Sequence, residues 1–284
     1  MKNLTLVNKF KIDDRIDIIV KGVPIHLSIR GEENTLRKIV CIWDVAIPKD
    51  YELRLQRLRS YARPDTTVDL RNVPNAPSLM NLEYYSYETM VGRELLAANR
   101  KAEKEGYHAI LQACWYDPGV REAREVLHIP IIGLCEASLH IASLLGHKFS
   151  IIPSQRKFIA KMSENVRRWG FESKIASWRA LDLHVADLWE NHDRTMGILL
   201  KVARRCIEED GAEVIVPACG SFETYAKEAS EILHVPVINS YMAGIMMAEL
   251  LADLYLRGIS ASKIATYQAP PEEELRLLDT FAPK

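Results

Sequence analysis

One stretch of this sequence occurs twice, and that repeat limits the folds open to the chain more than any other feature. Glu105-Gly106-Tyr107-His108-Ala109-Ile110-Leu111-Gln112-Ala113-Cys114 has a counterpart in Asp210-Gly211-Ala212-Glu213-Val214-Ile215-Val216-Pro217-Ala218-Cys219. The two cysteines are 105 positions apart, and so are Gly106 and Gly211. After one inserted residue the match resumes, with Glu125-Val126-Leu127-His128-Ile129-Pro130-Ile131-Ile132 facing Glu231-Ile232-Leu233-His234-Val235-Pro236-Val237-Ile238. A duplication of this size predicts two lobes of like order, related by a pseudo-twofold axis.

Within each copy, short β-branched runs alternate with helical stretches. Strands are expected at Lys38–Trp43, Thr66–Leu70, Ala109–Ala113 and Pro130–Leu134, with helices at Tyr51–Tyr61, Tyr87–Glu105, Pro118–Leu127 and Glu136–Leu145. The series restarts with strands at Phe149–Ile152, Lys174–Trp178, Glu213–Pro217 and Val235–Asn239. Its helices fall at Gln155–Trp169, Arg194–Glu209, Phe222–Leu233 and Met242–Leu256. Such alternation predicts an α/β fold: two pseudosymmetric Rossmann-like or flavodoxin-like lobes, 36–145 and 146–268, each with a four-stranded parallel sheet and the active site between them. Residues 1–35 form an extension with an expected hairpin, Arg15–Val20 against Ile25–Ile29, and 269–284 form a tail.

Each repeated cysteine is expected at the carboxyl end of a strand and directly before a helix. Ligands of open parallel sheets bind there, and helix N-termini offer N–H groups and positive potential that lowers a thiol pKa. Asp117 suits the N-cap of the helix after Cys114, with Pro118 at its first position, and Ser221 suits the cap after Cys219. Two thiols on opposite sides of one carbon can remove a proton from one face and return it on the other. That chemistry is cofactor-independent racemisation by cysteine acid/base catalysis, with N–H donors at the strand–helix turns holding the enolate.

Composition removes competing classes. Lys and Arg number 37 against 38 Asp and Glu, a formal charge of −1, so no basic excess is available for nucleic acid. No apolar run approaches the ~20 residues of a membrane helix, and the polar first residues do not read as a signal peptide. A cytoplasmic location is expected, with no membrane partner. Five cysteines with no CxxC pair do not form a disulfide framework, and Cys41, Cys135 and Cys206 read as buried structural thiols. His184 and His192 lack the spacing of a metal site, and the GxGxxG and GxxxxGK[ST] signatures are absent, so neither metal nor cofactor is expected.

Around both cysteines the chain resembles the Asp/Glu/hydantoin racemase superfamily, which includes aspartate, glutamate, hydantoin and allantoin racemases, maleate isomerase and arylmalonate decarboxylase. Cys114-Trp115-Tyr116-Asp117-Pro118-Gly119 is similar to the Cys-Phe-x-Asp-Pro-Gly of the hydantoin racemase branch. Likeness continues through Ala123-Arg124-Glu125-Val126, Ile129–Gly133, Glu136–Ala142, Gly146–Ser150 and the segment from Glu209 to Gly220. The resemblance implies an isomerase acting on a small molecule, a hydantoin-like cyclic amide or amino-acid derivative. Cys114 and Cys219 would be its acid/base pair, in a homo-oligomer. The same cleft could instead serve cis–trans isomerisation, decarboxylation or hydrolysis through one cysteine, or binding without catalysis.

The chain also departs from the family. Where relatives carry Asn-Pro-Asn-Thr-Ser after the first strand, this chain has Ile42-Trp43-Asp44-Val45-Ala46-Ile47-Pro48, and Pro153-Ser154-Gln155 replaces an often Thr-rich loop. Trp43, Asp44, Trp115, Tyr116, Gly220, Ser221 and Phe222 are the expected substrate-binding residues. Asp44 at the mouth would favour a neutral or cationic ligand bearing a flat or apolar group.

Overall fold

The computed structural model describes residues 11–12, 15–20, 23–28, 36–43, 51–73, 82–271 and 273–276. The chain divides into two compact units, Met1–Leu36 and Arg37–Lys284. In the first, β1 (Lys11–Ile12), β2 (Arg15–Val20) and β3 (Val23–Ser28) form an antiparallel sheet in that order. The expected hairpin is present, but β3 begins two residues early, since Val23 pairs with Val20.

The second unit contains two parallel sheets. The first is built from β4 (Arg37–Trp43), β5 (Thr66–Asn72), β6 (Ala109–Gln112) and β7 (Ile131–Gly133), in the order β5-β4-β6-β7. Its connections carry α1 (Tyr51–Tyr61), α2 (Tyr85–Lys104) and α3 (Val120–Val126), and α4 (Leu134–Leu145) follows β7. Ile39, Val40, Cys41 and Ile42 are all buried, the continuous apolar run that a parallel strand covered on both faces requires.

The second sheet is built from β8 (Phe149–Ile152), β9 (Ile175–Trp178) and β10 (Val214–Pro217), in the order β10-β8-β9. Its helices are α5 (Phe158–Arg168), α6 (His192–Glu208), α7 (Ala226–Leu233) and α8 (Ser240–Leu256). The fourth strand expected at Val235–Asn239 is reduced to a single parallel bridge, Ile215 with Val237. Ile215 donates to Pro236 O and accepts from Ile238 N, both at 2.9 Å. Pro236 has no N–H to extend the ladder, and Asn239 already caps α8 by accepting from Met242 N at 3.1 Å. The bridge lies beside β10 where β7 lies beside β6, so the two sheets share one order.

The repeat is visible in the backbone hydrogen bonds. Ala113 N donates to Ile42 O and Ala218 N to Ile152 O, both at 2.9 Å; Ile110 N donates to Pro130 O as Ile215 N does to Pro236 O. The last helix of each half, however, packs across to the other half. α8 lies against β4, β6 and β7, and α4 against β10 as well as α8. Gly244 lets α8 sit close, since a Cβ there would stand 2.6 Å from Leu111 Cδ1. Polar contacts hold the far end: Glu249 accepts from Arg63 N at 2.8 Å and from Thr66 Oγ1 at 2.6 Å, and Asp253 pairs with Arg37 at 3.2 Å. As a result Phe149, Ile151, Val214 and Val216, on one face of the second sheet, share a core with the first sheet. Ile152 and Ile215, on the other face, pack with α6 and α7.

Candidate active site

Cys114 and Cys219 each follow the last alanine of a strand end and each open the same turn. Asp117 N donates to Cys114 O at 3.0 Å, and Phe222 N donates to Cys219 O at 3.2 Å. Both thiols are half-buried, whereas Cys41, Cys135 and Cys206 are buried. Both line one cavity of about 270 Å³. The buried Tyr116 phenol lies within electrostatic reach of both: its pKa is raised by burial first, then by Cys114, Tyr85, Glu88 and Cys219.

The helices start later than the sequence suggests. α3 opens at Val120 with Gly119 as its N-cap residue, because Asp117 (φ 48°) and Gly119 (φ 72°) lie in the left-handed region and interrupt any helix nearer Cys114. Pro118 is therefore not at the first helical position. Asp117 caps a helix, but a different one. Its Oδ1 accepts from Cys135 N and its Oδ2 from Glu136 N, both at 2.9 Å, at the start of α4, and Trp169 Nε1 adds a third bond at 3.0 Å. Burial, and then Glu136, push the Asp117 carboxyl up to about 8 against the pull of these donors. Gly133 makes room for it, since a Cβ there would meet Asp117 Oδ1 at 2.0 Å. Ser221 likewise does not cap α7, which begins at Ala226; it sits inside a short 3₁₀ turn, Gly220–Phe222, that directly follows Cys219.

The Cys114 turn is clamped from the second half of the chain. Asn165 Nδ2, on α5, donates to Tyr116 O at 2.6 Å, and Phe158 packs edge-on to the Tyr116 ring. The Cys219 turn is held by shape: a Cβ on Gly220 would stand 2.7 Å from Tyr241 Cε2, so glycine allows the Tyr241 ring to lie against this turn. Burial pushes the Tyr241 phenol well above its ordinary pKa.

Of the substrate-binding residues expected from the sequence, Trp43, Trp115, Tyr116, Gly220 and Ser221 line the cavity. Trp43 is tied to the site through Nε1, which donates to Ala113 O at 3.1 Å, and packs edge-on to Tyr241. Phe222, expected in the lining, is instead 1% exposed and packs with Ile152, Leu188 and Tyr225, because the 3₁₀ turn directs it into the second core. Asp44 lies outside the described residues.

Several lining residues were not among those expected from the sequence. Arg54 projects from α1, and its guanidinium lies 4.5 Å from the Trp43 ring centroid and 4.8 Å from that of Trp189. Trp189, with Val185 and Ala186, comes from the irregular segment before α6. Ser154 follows β8 at the carboxyl end of the second sheet, a position that the strand-end rule would have marked. Ser154 Oγ and Trp115 Nε1 are buried polar atoms without a hydrogen-bond partner, an arrangement that costs free energy unless a ligand or water completes it. Among the described residues no group of three or more His, Cys, Asp or Glu is placed to hold a metal ion. No helix among them is long and apolar enough to cross a membrane.

Comparison with known proteins agrees with this architecture. The family model described as Asp/Glu/Hydantoin racemase matches residues 51–248. A hydantoin racemase from Pseudomonas sp. (strain NS671) is 31% identical over 216 residues, covering 76% of this chain and 85% of that protein. A second, from Rhizobium meliloti, is 33% identical over 205 residues, covering 72% of this chain and 83% of that one. Among solved structures, an allantoin racemase from Klebsiella pneumoniae superposes with a TM-score of 0.77 at 25% identity, covering 86% of this chain and all of the other. The chain belongs to the Asp/Glu/hydantoin racemase family and is an isomerase of the racemase type.

Proposed function

We propose that this enzyme interconverts the two configurations of a carbon acid, a hydantoin-like cyclic amide or amino-acid derivative, by proton transfer between Cys114 and Cys219 without a cofactor. The observation that carries the reading is that both thiols, each opening the same turn at the end of its own sheet, line one cavity. One cysteine acts as thiolate and removes the proton from one face of the reacting carbon. The electron pair moves onto the adjacent carbonyl oxygen, and the other cysteine, as thiol, returns a proton to the opposite face. The two sulfurs have then exchanged protonation states, ready for the opposite enantiomer. The unpartnered Trp115 Nε1 and Ser154 Oγ suit a ligand rich in carbonyl acceptors, and such donors stabilise charge that develops on oxygen.

Turnover of single enantiomers of 5-substituted hydantoins in D₂O tests this reading. Product of inverted configuration should carry deuterium at the reacting carbon, whereas hydrolysis would leave the recovered substrate unlabelled and decarboxylation would release carbon dioxide. Cys114→Ser and Cys219→Ser should each abolish interconversion, because a hydroxyl is too weak an acid to supply a base near pH 7. Each single variant should still exchange one enantiomer, the one whose proton faces the remaining thiol. Full interconversion by either variant would refute the two-base mechanism.

A further inference from the structure

The chemistry above makes no use of Arg54, although among the described residues it is the one cationic side chain in the cavity wall. Arginine side chains are long, and ordering them opposes ligand binding unless the protein has already fixed them. Here Trp43 and Trp189 both contact the guanidinium, at 4.5 Å and 4.8 Å. Cation–π contact of this kind positions a guanidinium while its N–H donors remain the groups that match a carboxylate. Five donors allow a carboxylate to be received beside a partner that the guanidinium already has. The bracket is also in register with the reacting centre, because Trp43 is hydrogen-bonded to Ala113, the residue preceding Cys114. Among the described residues the wall's one carboxylate, Glu83, has its own cation at 3.9 Å in Lys157, which lies outside the lining.

We propose that Arg54, held between Trp43 and Trp189, is a specificity-determining residue that receives an anionic substituent of the substrate, so that the preferred substrate is a cyclic amide bearing a carboxylate arm. The assignment rests on the racemase reading for the identity of the ring and on the bracketed guanidinium for the arm. It reverses the charge preference expected from Asp44 alone.

The experiment compares two hydantoins of equal size, one with a carboxyethyl arm and one with the corresponding carbamoylethyl arm, in the parent enzyme and in Arg54→Gln and Arg54→Lys. The parent should favour the carboxylate. Arg54→Gln should lose about 10- to 100-fold in kcat/KM on it, the range of charge-assisted hydrogen bonds, and at least tenfold less on the amide. Arg54→Lys, which keeps the charge but loses the planar fork, should recover part of the preference. A parent that favours the amide, or an Arg54→Gln variant that loses both substrates equally, would overturn the proposal and leave Arg54 as packing between two indoles. Binding of both hydantoins, read by tryptophan fluorescence, separates this outcome from failure of the racemase reading. With no turnover of either compound, a carboxylate preference in binding that Arg54→Gln removes sustains the anion subsite, and equal binding rejects it.

Discussion

Gly133→Ala is expected to be among the most damaging small substitutions in the protein, although it adds one methyl group. Gly133 has an ordinary extended backbone, φ −99° and ψ 164°, which alanine adopts freely, so the whole effect is steric. The new Cβ would stand 2.0 Å from Asp117 Oδ1 and 2.2 Å from its Cγ, more than 1 Å inside ordinary contact. Asp117 would have to leave, and two buried donors, Cys135 N and Glu136 N, would lose their acceptor together with the half-buried Trp169 Nε1. A buried donor left unpaired costs about 1–3 kcal/mol, so the two buried donors alone should cost about 2–6 kcal/mol, against a whole-domain stability of ~5–15 kcal/mol. Urea denaturation of a double-mutant cycle with Asp117→Ala measures the coupling. In the Asp117→Ala background Gly133→Ala should cost less than about 1 kcal/mol, because nothing remains to be displaced. A Gly133→Ala protein within about 1 kcal/mol of the parent, or additive costs in the cycle, would refute the assignment of Asp117 as the cap of α4.

Two further outcomes follow from the same geometry. Gly220→Ala should cost about 1–3 kcal/mol by overpacking against Tyr241 and should lower kcat far more than its stability loss explains, because Cys219 opens the displaced turn; wild-type kcat in a stable Gly220→Ala enzyme would contradict this. Asp117 also predicts a pH dependence: its carboxyl is raised in the folded protein from an ordinary 3.8 to about 8, so the native state binds the extra proton between those values. Stability from this group is complete below about pH 4 and is lost as the pH rises through about 8. Urea midpoints should therefore fall over that interval in the parent and fall less in Asp117→Ala, and parallel profiles would argue against a raised pKa.

The alternation of strands and helices and the placing of Cys114 and Cys219 at strand ends were legible because duplication supplies its own control: a signal at Ala109–Cys114 that recurs at Val214–Cys219 is hard to misread. Features created by contacts distant in sequence were not legible. Asp117 has the local pattern of an N-cap for the helix that follows it, yet the left-handed Asp117 and Gly119 delay that helix, and the carboxylate turns to α4 instead. Pro236 and the early cap at Asn239 shorten the last strand to one bridge, although its side chains alternate as a strand should. Phe222 was placed by its neighbour Cys219, but a 3₁₀ turn rotates it into the core. Arg54 and Trp189 come from a helix and an irregular segment that are more than a hundred residues apart, and only the folded chain brings them together.

The crossing of α4 and α8 sets how this chain can be divided. A polypeptide ending near Leu145 would keep its own sheet but lack α8, leaving the face of β4, β6 and β7 that α8 covers bare to water. The complementary piece beginning at Gly146 would carry α8 with no surface to receive it, and the face of β10 under α4 would be uncovered. Neither piece is a self-sufficient folding unit, so expressed apart they should aggregate and expressed together they should reassemble by returning each helix to the other's sheet.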